Sequence, residues 1–278
     1  MPTEALTFYD EGLPGIDTAP LCGKLIVIEG PDGVGRSTQI ALLRTWLEHS
    51  GHAVMDTGMA RSALVGKTIK QVKQGNTLGP LTLTLFYATD IADRLENEII
   101  PALRAGFVVL TDRYIYSSIA RAAARGSDSA WIRGVFGFAL RPHAIYYMRA
   151  DVKDLLTRVV YARGGFDYWE SGMDVRMGKD LYESFVRYQA KVIRALDSMA
   201  QRYHFETIDA TRSPEKIFLD TLSVQSGKDV QSYLFASGTV DLADVMKNFE
   251  FNNLDKIGYN MEMEFNDFVP VNTKSETT

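Results

Sequence analysis

The sequence predicts an α/β fold in which a five-stranded parallel sheet carries helices on both faces. Three observations lead there. From Lys24 to about Gly227, short apolar runs alternate with longer stretches of helical period, the signature of βαβ units. The first run, KLIVIE at residues 24–29, is almost continuously apolar, as in strands buried on both faces of a parallel sheet. It leads through a glycine-rich loop directly into a helical stretch, the strand–loop–helix order of a phosphate-binding turn.

The elements follow in chain order. STQIALLRTWLEHSG (37–51) sets Ile40, Leu43 and Leu47 on one helical face, with Gly51 as the stop. HAVMDT (52–57) is a second strand and RSALVGKTIKQVKQG (61–75) a helix ending at Gly75. Pro80 opens the long helix LTLTLFYATDIADRLENEII (81–100), extended or kinked at Pro101. GFVVLTD (106–112) is the third strand, AIYYMRA (144–150) the fourth and HFETIDA (204–210) the fifth. The helical stretch GKDLYESFVRYQAKVIRALDSMAQRY (178–203) precedes the last, and Ser213-Pro214-Glu215 caps and starts another helix. Residues 1–22 read as an irregular N-terminal arm, 23–227 as the domain, and 228–278 as an acidic, partly disordered extension.

Composition narrows the function. Of 278 residues, 46% are apolar and 23% charged, ordinary for a globular protein. The net charge of −5 argues against a general nucleic-acid binder, which needs clustered Lys and Arg. Cys22 is the single cysteine, so neither an internal disulfide nor a multi-cysteine metal site is available. No apolar run approaches the roughly 20 residues of a membrane helix, and the N-terminus lacks the basic-then-apolar order of a signal peptide. A cytoplasmic protein with no membrane partner is the expectation.

The loop Gly30-Pro31-Asp32-Gly33-Val34-Gly35-Arg36-Ser37, followed by Thr38, matches the G-x-x-x-x-G-K-[ST] pattern except that Arg36 replaces lysine. Its glycines let backbone N–H groups face phosphate oxygens, and the helix that follows adds partial positive charge. Ser37 is placed to ligate Mg²⁺. Arg36 keeps the charge but exchanges a compact ammonium for a planar fork, which can meet phosphate oxygens in pairs. At the end of the third strand, Asp112 sits where a metal or an acceptor phosphate is met, with Arg113 beside it to clamp an anion.

With the blocks IEGPDGVGRSTQ, LFYATDIADRLENEIIPALRAGFVVLTDRYIYSS, IYYMRADVKDLLTRVVYARGG and IDATRSPEKI, the chain from about Leu25 to Phe218 resembles the thymidylate kinase family of P-loop nucleoside monophosphate kinases. The resemblance implies the three-layer P-loop fold, a homodimer, and γ-phosphoryl transfer from ATP·Mg²⁺ to a nucleoside monophosphate. It implies that Asp32 meets the acceptor sugar or the metal and Asp112 the metal–acceptor region, while Arg113 holds the acceptor phosphate. Phe86 would stack on the acceptor base or else belong to the core of a buried helix. Arg158 and Arg163 would serve a lid near residues 161–176 that closes on ATP; Arg158 reads equally as an exposed helix charge.

Departures from that family cluster on the acceptor side. Asp90 stands where the family has a base-reading arginine, with Arg94 one turn further on. A carboxylate accepts hydrogen bonds, so Asp90 predicts an acceptor base with an amino group. Ser118 replaces an amide residue and Arg121 an aromatic one; DTGMARSA lacks the acid and the proline of the usual second-strand signature, with Arg61 nearby; and the lid reads Asp167-Tyr168-Trp169-Glu170. Two alternatives accompany the kinase: a nucleotide-binding paralogue serving as sensor or scaffold, and a kinase for another phosphorylated acceptor.

Overall fold

A computed structural model of the chain describes residues 6–74 and 78–222, without the side chains of residues 162 and 163. The predicted acidic extension at 228–278 lies outside the described residues. Five strands, β1 (Lys24–Glu29), β2 (Val54–Gly58), β3 (Val108–Asp112), β4 (Ala144–Arg149) and β5 (Glu206–Asp209), form one sheet in the order β2-β3-β1-β4-β5. Every neighbouring pair is parallel. The three inner strands are apolar and buried almost throughout. β2, β3 and β5 are each shorter than the apolar run that predicts them, by one to three residues.

Around the sheet lie α1 (Arg36–His49), α2 (Gly66–Gln74), α3 (Pro80–Arg94), α4 (Ile100–Arg104), α5 (Ile115–Ala124), α6 (Ser129–Val135), α7 (Val152–Arg163), α8 (Leu181–Tyr203) and α9 (Pro214–Leu222). The helix that starts at Pro80 does continue to Arg104, through a π turn at Leu95–Ile99. Pro101 has no N–H to give to the helical ladder, and the wider turn just before it absorbs that loss. Periodicity does not reveal α5, because IYSSIARAAA is small or apolar almost all round and nearly every residue is buried. It packs against α8 and α3, while α1 packs against α9.

Residues 6–22 are irregular, as their glycines and prolines predict, yet they lie against the domain. Leu6 and Leu21 are buried in the main core. Phe8 bridges Leu140, and the Tyr9 hydroxyl bonds that of Tyr116. Among the described residues no helix is long and apolar enough to cross a membrane.

For function the important feature is register. Asp112 is level with Ile28 of β1 and with Gly58 of β2. The loops after these three strands therefore leave the sheet at one carboxyl edge, where ligands of open parallel sheets bind.

Candidate active site

The loop between β1 and α1 is wrapped tightly. Gly33 has φ 79°, and a Cβ there would meet Val159 Cγ2 at 2.6 Å, so only glycine fits. Gly35 caps α1 in the left-handed region without a side-chain cap, and the first turn of α1 holds no acid. The N–H groups at Arg36, Ser37 and Thr38 thus begin a helix whose positive end faces outward from the sheet edge.

Arg36 does not hang free. Its Nε donates to Asp112 Oδ1 at 2.7 Å, and its Nη1 to the carbonyls of Gly30 at 3.0 Å and Pro31 at 2.5 Å. A guanidinium has five N–H groups; these contacts engage Nε and Nη1 and leave the pair on Nη2. Burial works against charging Arg36, but Asp112 and then Asp32 more than offset it and raise its pKa. Asp112 is likewise resisted by burial, yet Arg36 and Arg113 hold its carboxyl below the usual range.

The second cluster centres on Asp32. Its buried carboxylate accepts from Arg113 Nη2 at 2.5 Å, from Arg121 Nη2 at 2.8 and 3.0 Å, and from Gln189 Nε2 at 3.1 Å. Burial opposes this charge most, and Arg113, Arg121 and Arg36 together outweigh it, holding the carboxyl well below its ordinary value. Arg113 itself is pushed down by burial and then by Arg121 and Arg36. Its backbone has φ 67°, costly for a residue with a side chain. Two bonds hold it there: Arg113 N to Ile28 O at 3.0 Å, and Thr111 Oγ1 to Arg113 O at 2.7 Å. Strain thus aims the guanidinium back at the phosphate loop.

Arg121 and Gln189 carry no motif and escape a reading of the sequence, although Arg121 stood out as a cation replacing an aromatic ring. Glu29 also escapes it. Buried at the end of β1, it accepts from Tyr114 N at 2.9 Å, Ser117 N at 3.2 Å and Ser117 Oγ at 2.5 Å. Burial raises its pKa against these bonds. Glu29 therefore fastens the start of α5, and with it Arg121, to the central strand.

Asp90 corrects an expectation. It is fully buried on α3, accepting from Ala60 N at 3.0 Å and Ser62 N at 2.9 Å, with Arg94 Nε at 3.1 Å from Oδ2. No base can reach it. Its carboxylate pins the loop after β2, where Ala60 has φ 62°. Arg94, equally buried, is its counter-charge and not a ligand-facing donor. The inference of an amino-bearing base, which rested on Asp90, falls with it.

Of the two readings of Phe86, the packing favours the apolar one: it lies half-buried beside Ile69 and Leu83, and the next residue, Tyr87, walls a small cavity with Arg121, Arg125, Trp169 and Glu170. That cavity holds about 10 Å³, room for a single water. Ser118 is buried near the start of α5. Its Oγ, Arg113 Nε and Gln189 Oε1 are all buried without a hydrogen-bond partner among the described residues. Each is a polar atom that a water or a ligand would complete.

The remaining predicted residues fall as follows. Arg158 gives its Nη1 to Val34 O at 3.1 Å and its Nη2 to Ala210 O at 2.6 Å, joining the phosphate loop to the end of β5. It is therefore not a free surface charge. Arg61 is about half exposed, 3.4 Å from Asp56, and its charge reaches Asp112. The side chain of Arg163 lies outside the described residues. In the expected lid, Asp167 Oδ1 accepts from Trp169 N and Glu170 N, both at 2.9 Å. Gln189 Nε2 also donates to Glu170 O at 2.8 Å, and so links this turn to Asp32.

The donor set suits a hard cation brought in with phosphates. Ser37 Oγ and the Asp112 carboxylate offer oxygen donors of the type Mg²⁺ takes one or two at a time, with phosphate and water as the rest. Among the described residues no cluster of three or more His, Cys, Asp or Glu side chains forms a self-sufficient cage.

Comparison with known proteins agrees with this geometry. The family model described as thymidylate kinase matches residues 28–220. The chain is 35% identical to a probable thymidylate kinase 2 of Saccharolobus solfataricus over 199 residues, covering 71% of this chain and 93% of that protein. It is 39% identical to a thymidylate kinase of Clavibacter sepedonicus, covering 54% of this chain and 74% of the relative. A probable thymidylate kinase of Pyrococcus horikoshii is 38% identical, with 49% of this chain and 70% of the relative covered.

Proposed function

The chain belongs to the thymidylate kinase family and is a nucleoside monophosphate kinase, and from that premise we propose that it transfers the γ-phosphoryl group of ATP to dTMP. The observation that carries this reading is the convergence of Arg36, Arg113 and Arg121 around Asp32 and Asp112, at the mouth of the phosphate loop. Phosphoryl transfer asks little covalent help of a protein. It needs two phosphates held in line and positive charge spread over their oxygens.

In this proposal the loop N–H groups and the start of α1 hold the donor phosphates. Arg36 presents its Nη2 to them while Asp112 fixes its plane. Arg158 sets the loop against β5. Arg113 takes the acceptor phosphate, and Asp32 orients Arg113 and Arg121 together. Ser37 and Asp112 would hold Mg²⁺, which would supply positive charge beside the transferring group. Tyr87 replaces Phe86 as the ring beside the acceptor base. Arg121, which can only donate, suits the keto oxygens of thymine better than an amino base. The cavity beside Tyr87 holds about 10 Å³, so in this proposal the Trp169–Glu170 turn moves to admit the base.

A screen of the common ribo- and deoxynucleoside monophosphates with ATP·Mg²⁺ tests the proposal. dTMP should be converted at least tenfold more efficiently than dCMP, dGMP or dAMP. Preference for an amino-bearing base would overturn the assignment of Arg121, and absence of turnover with every monophosphate would return the chain to the sensor or scaffold reading.

A homodimer is part of the same proposal. Leu81 and Leu85, one turn apart on α3, are 56% and 45% exposed, an apolar pair suited to a second copy. The mass in solution by light scattering checks it, and a monomer at tens of micromolar would discard it. Nucleotide substrates and a lone cysteine support a cytoplasmic setting, with no nucleic-acid or membrane partner in the reaction.

A further inference from the structure

A basic groove shares Arg125 with the small cavity beside Tyr87. On α8, Arg187, Lys191 and Arg194 recur at i, i+4 and i+7 and so share a face. With Arg176 they border an open groove of about 670 Å³, whose apolar floor includes Met177 and Val186. This is the size of a small-molecule site. No acidic residue lines it, although the chain as a whole carries a net charge of −5. All four cations are exposed. Arg187 is partly neutralised by Glu183 at 2.5 Å, while Arg176 and Lys191 make no ion pair among the described residues. Arg176 has φ 48°, a conformation a side chain resists and one that sets it apart from the regular helical cations.

The groove also touches the machinery. Arg125 forms part of its wall and part of the small cavity's wall. That guanidinium is fully engaged, with Asp174 at 2.7 and 3.1 Å, Trp169 O at 3.0 Å and the Tyr188 hydroxyl. An anion in the groove would compete with Asp174 for it, and so pull on the turn that moves to admit the base.

We infer that the groove binds a phosphorylated anion of nucleotide size, with its phosphates on Arg176, Arg187, Lys191 and Arg194 and its apolar part on the floor, as an effector of the acceptor site. The charge count favours a triphosphate over a monophosphate, and the floor distinguishes a nucleoside triphosphate from a bare polyphosphate. The volume of the open groove, about 670 Å³, matches a small molecule better than an extended nucleic-acid strand.

Calorimetry with inorganic tripolyphosphate, in the presence of a saturating non-hydrolysable ATP analogue to fill the phosphate loop, tests the inference. The full chain should bind one further equivalent, more weakly as salt rises. The double variant K191E/R194E should lose that binding by roughly tenfold or more, as charge reversal at a screened surface site predicts. These exposed side chains lie outside the catalytic machinery, so the variant should keep its melting temperature and its turnover without effector. At saturating ATP, tripolyphosphate should shift the acceptor KM several-fold in the parent and leave the variant unmoved. Tighter binding of dTTP than of tripolyphosphate would assign the ligand to a nucleotide, and equal binding to a free polyphosphate; both support the site. The inference is overturned if no further equivalent binds or if K191E/R194E binds it equally. It is overturned as well if the KM shift is the same in both proteins, or if a single-stranded oligonucleotide outcompetes every small anion.

Discussion

Arg36→Ala should lower kcat by about a thousandfold or more, the scale on which a charge-stabilising arginine acts in phosphoryl transfer. Two losses combine. The donor phosphates lose their cation, and Asp112, held below its usual pKa by Arg36 first among its neighbours after burial, loses its principal partner. The informative comparison is Arg36→Lys. An ammonium has three N–H groups against five, so it cannot hold Asp112 and both loop carbonyls and still face a phosphate. Arg36→Lys should therefore recover only part of the activity, on the order of one-tenth to one-hundredth of the parent, with a higher KM for ATP. Coupled assays of ADP release measure both, with circular dichroism to confirm folding. If Arg36→Ala stays within tenfold of the parent, the guanidinium is a structural brace of the loop and not a participant.

This site was only partly legible in the sequence. The phosphate loop and the Asp112-Arg113 pair could be found because their residues are contiguous, and their backbone dictates their types. The parallel sheet was legible because buried strands leave unbroken apolar runs. Asp90 was misplaced, and Phe86 left between two readings, for a shared reason. Both lie on α3, where one residue of offset turns a side chain by about 100° around the axis, and motif spacing cannot supply that angle. Arg121 and Gln189 were invisible as partners because they approach Asp32 from α5 and α8, 89 and 157 positions away along the chain. Long-range pairs of this kind leave no local pattern. The same holds for the groove on α8, whose cations look like an ordinary solvated face until Arg176 is brought beside them.

Asp32→Asn should be the most destabilising single polar change in the site. The carboxylate is 4% exposed and is the shared counter-charge of Arg113 and Arg121, whose side chains are 8% and 14% exposed. An asparagine is nearly the same size, but its amide group turns a donor toward donors, and the buried guanidiniums lose the anion they share. Breaking a buried pair in this way costs about 3–5 kcal/mol. For a domain of this length that is a fall in Tm of roughly 6–20 °C, readable by calorimetry. The pH dependence separates lost charge from lost shape. Asp32 is held well below its ordinary pKa in the folded protein, so its contribution is complete above the unfolded value of about 3.9 and declines as pH falls through the folded one. The gap between parent and variant should hence be constant near neutrality and narrow below about pH 4. A gap that stays constant into strong acid would mean that packing, and not the ion pairs, had been lost. Ligand binding gives a second readout of the same geometry. Without Asp32, Arg113 and Arg121 lose the group that orients them, so the KM for the acceptor should rise more than the KM for ATP, whose phosphates rest on the loop backbone and Arg36.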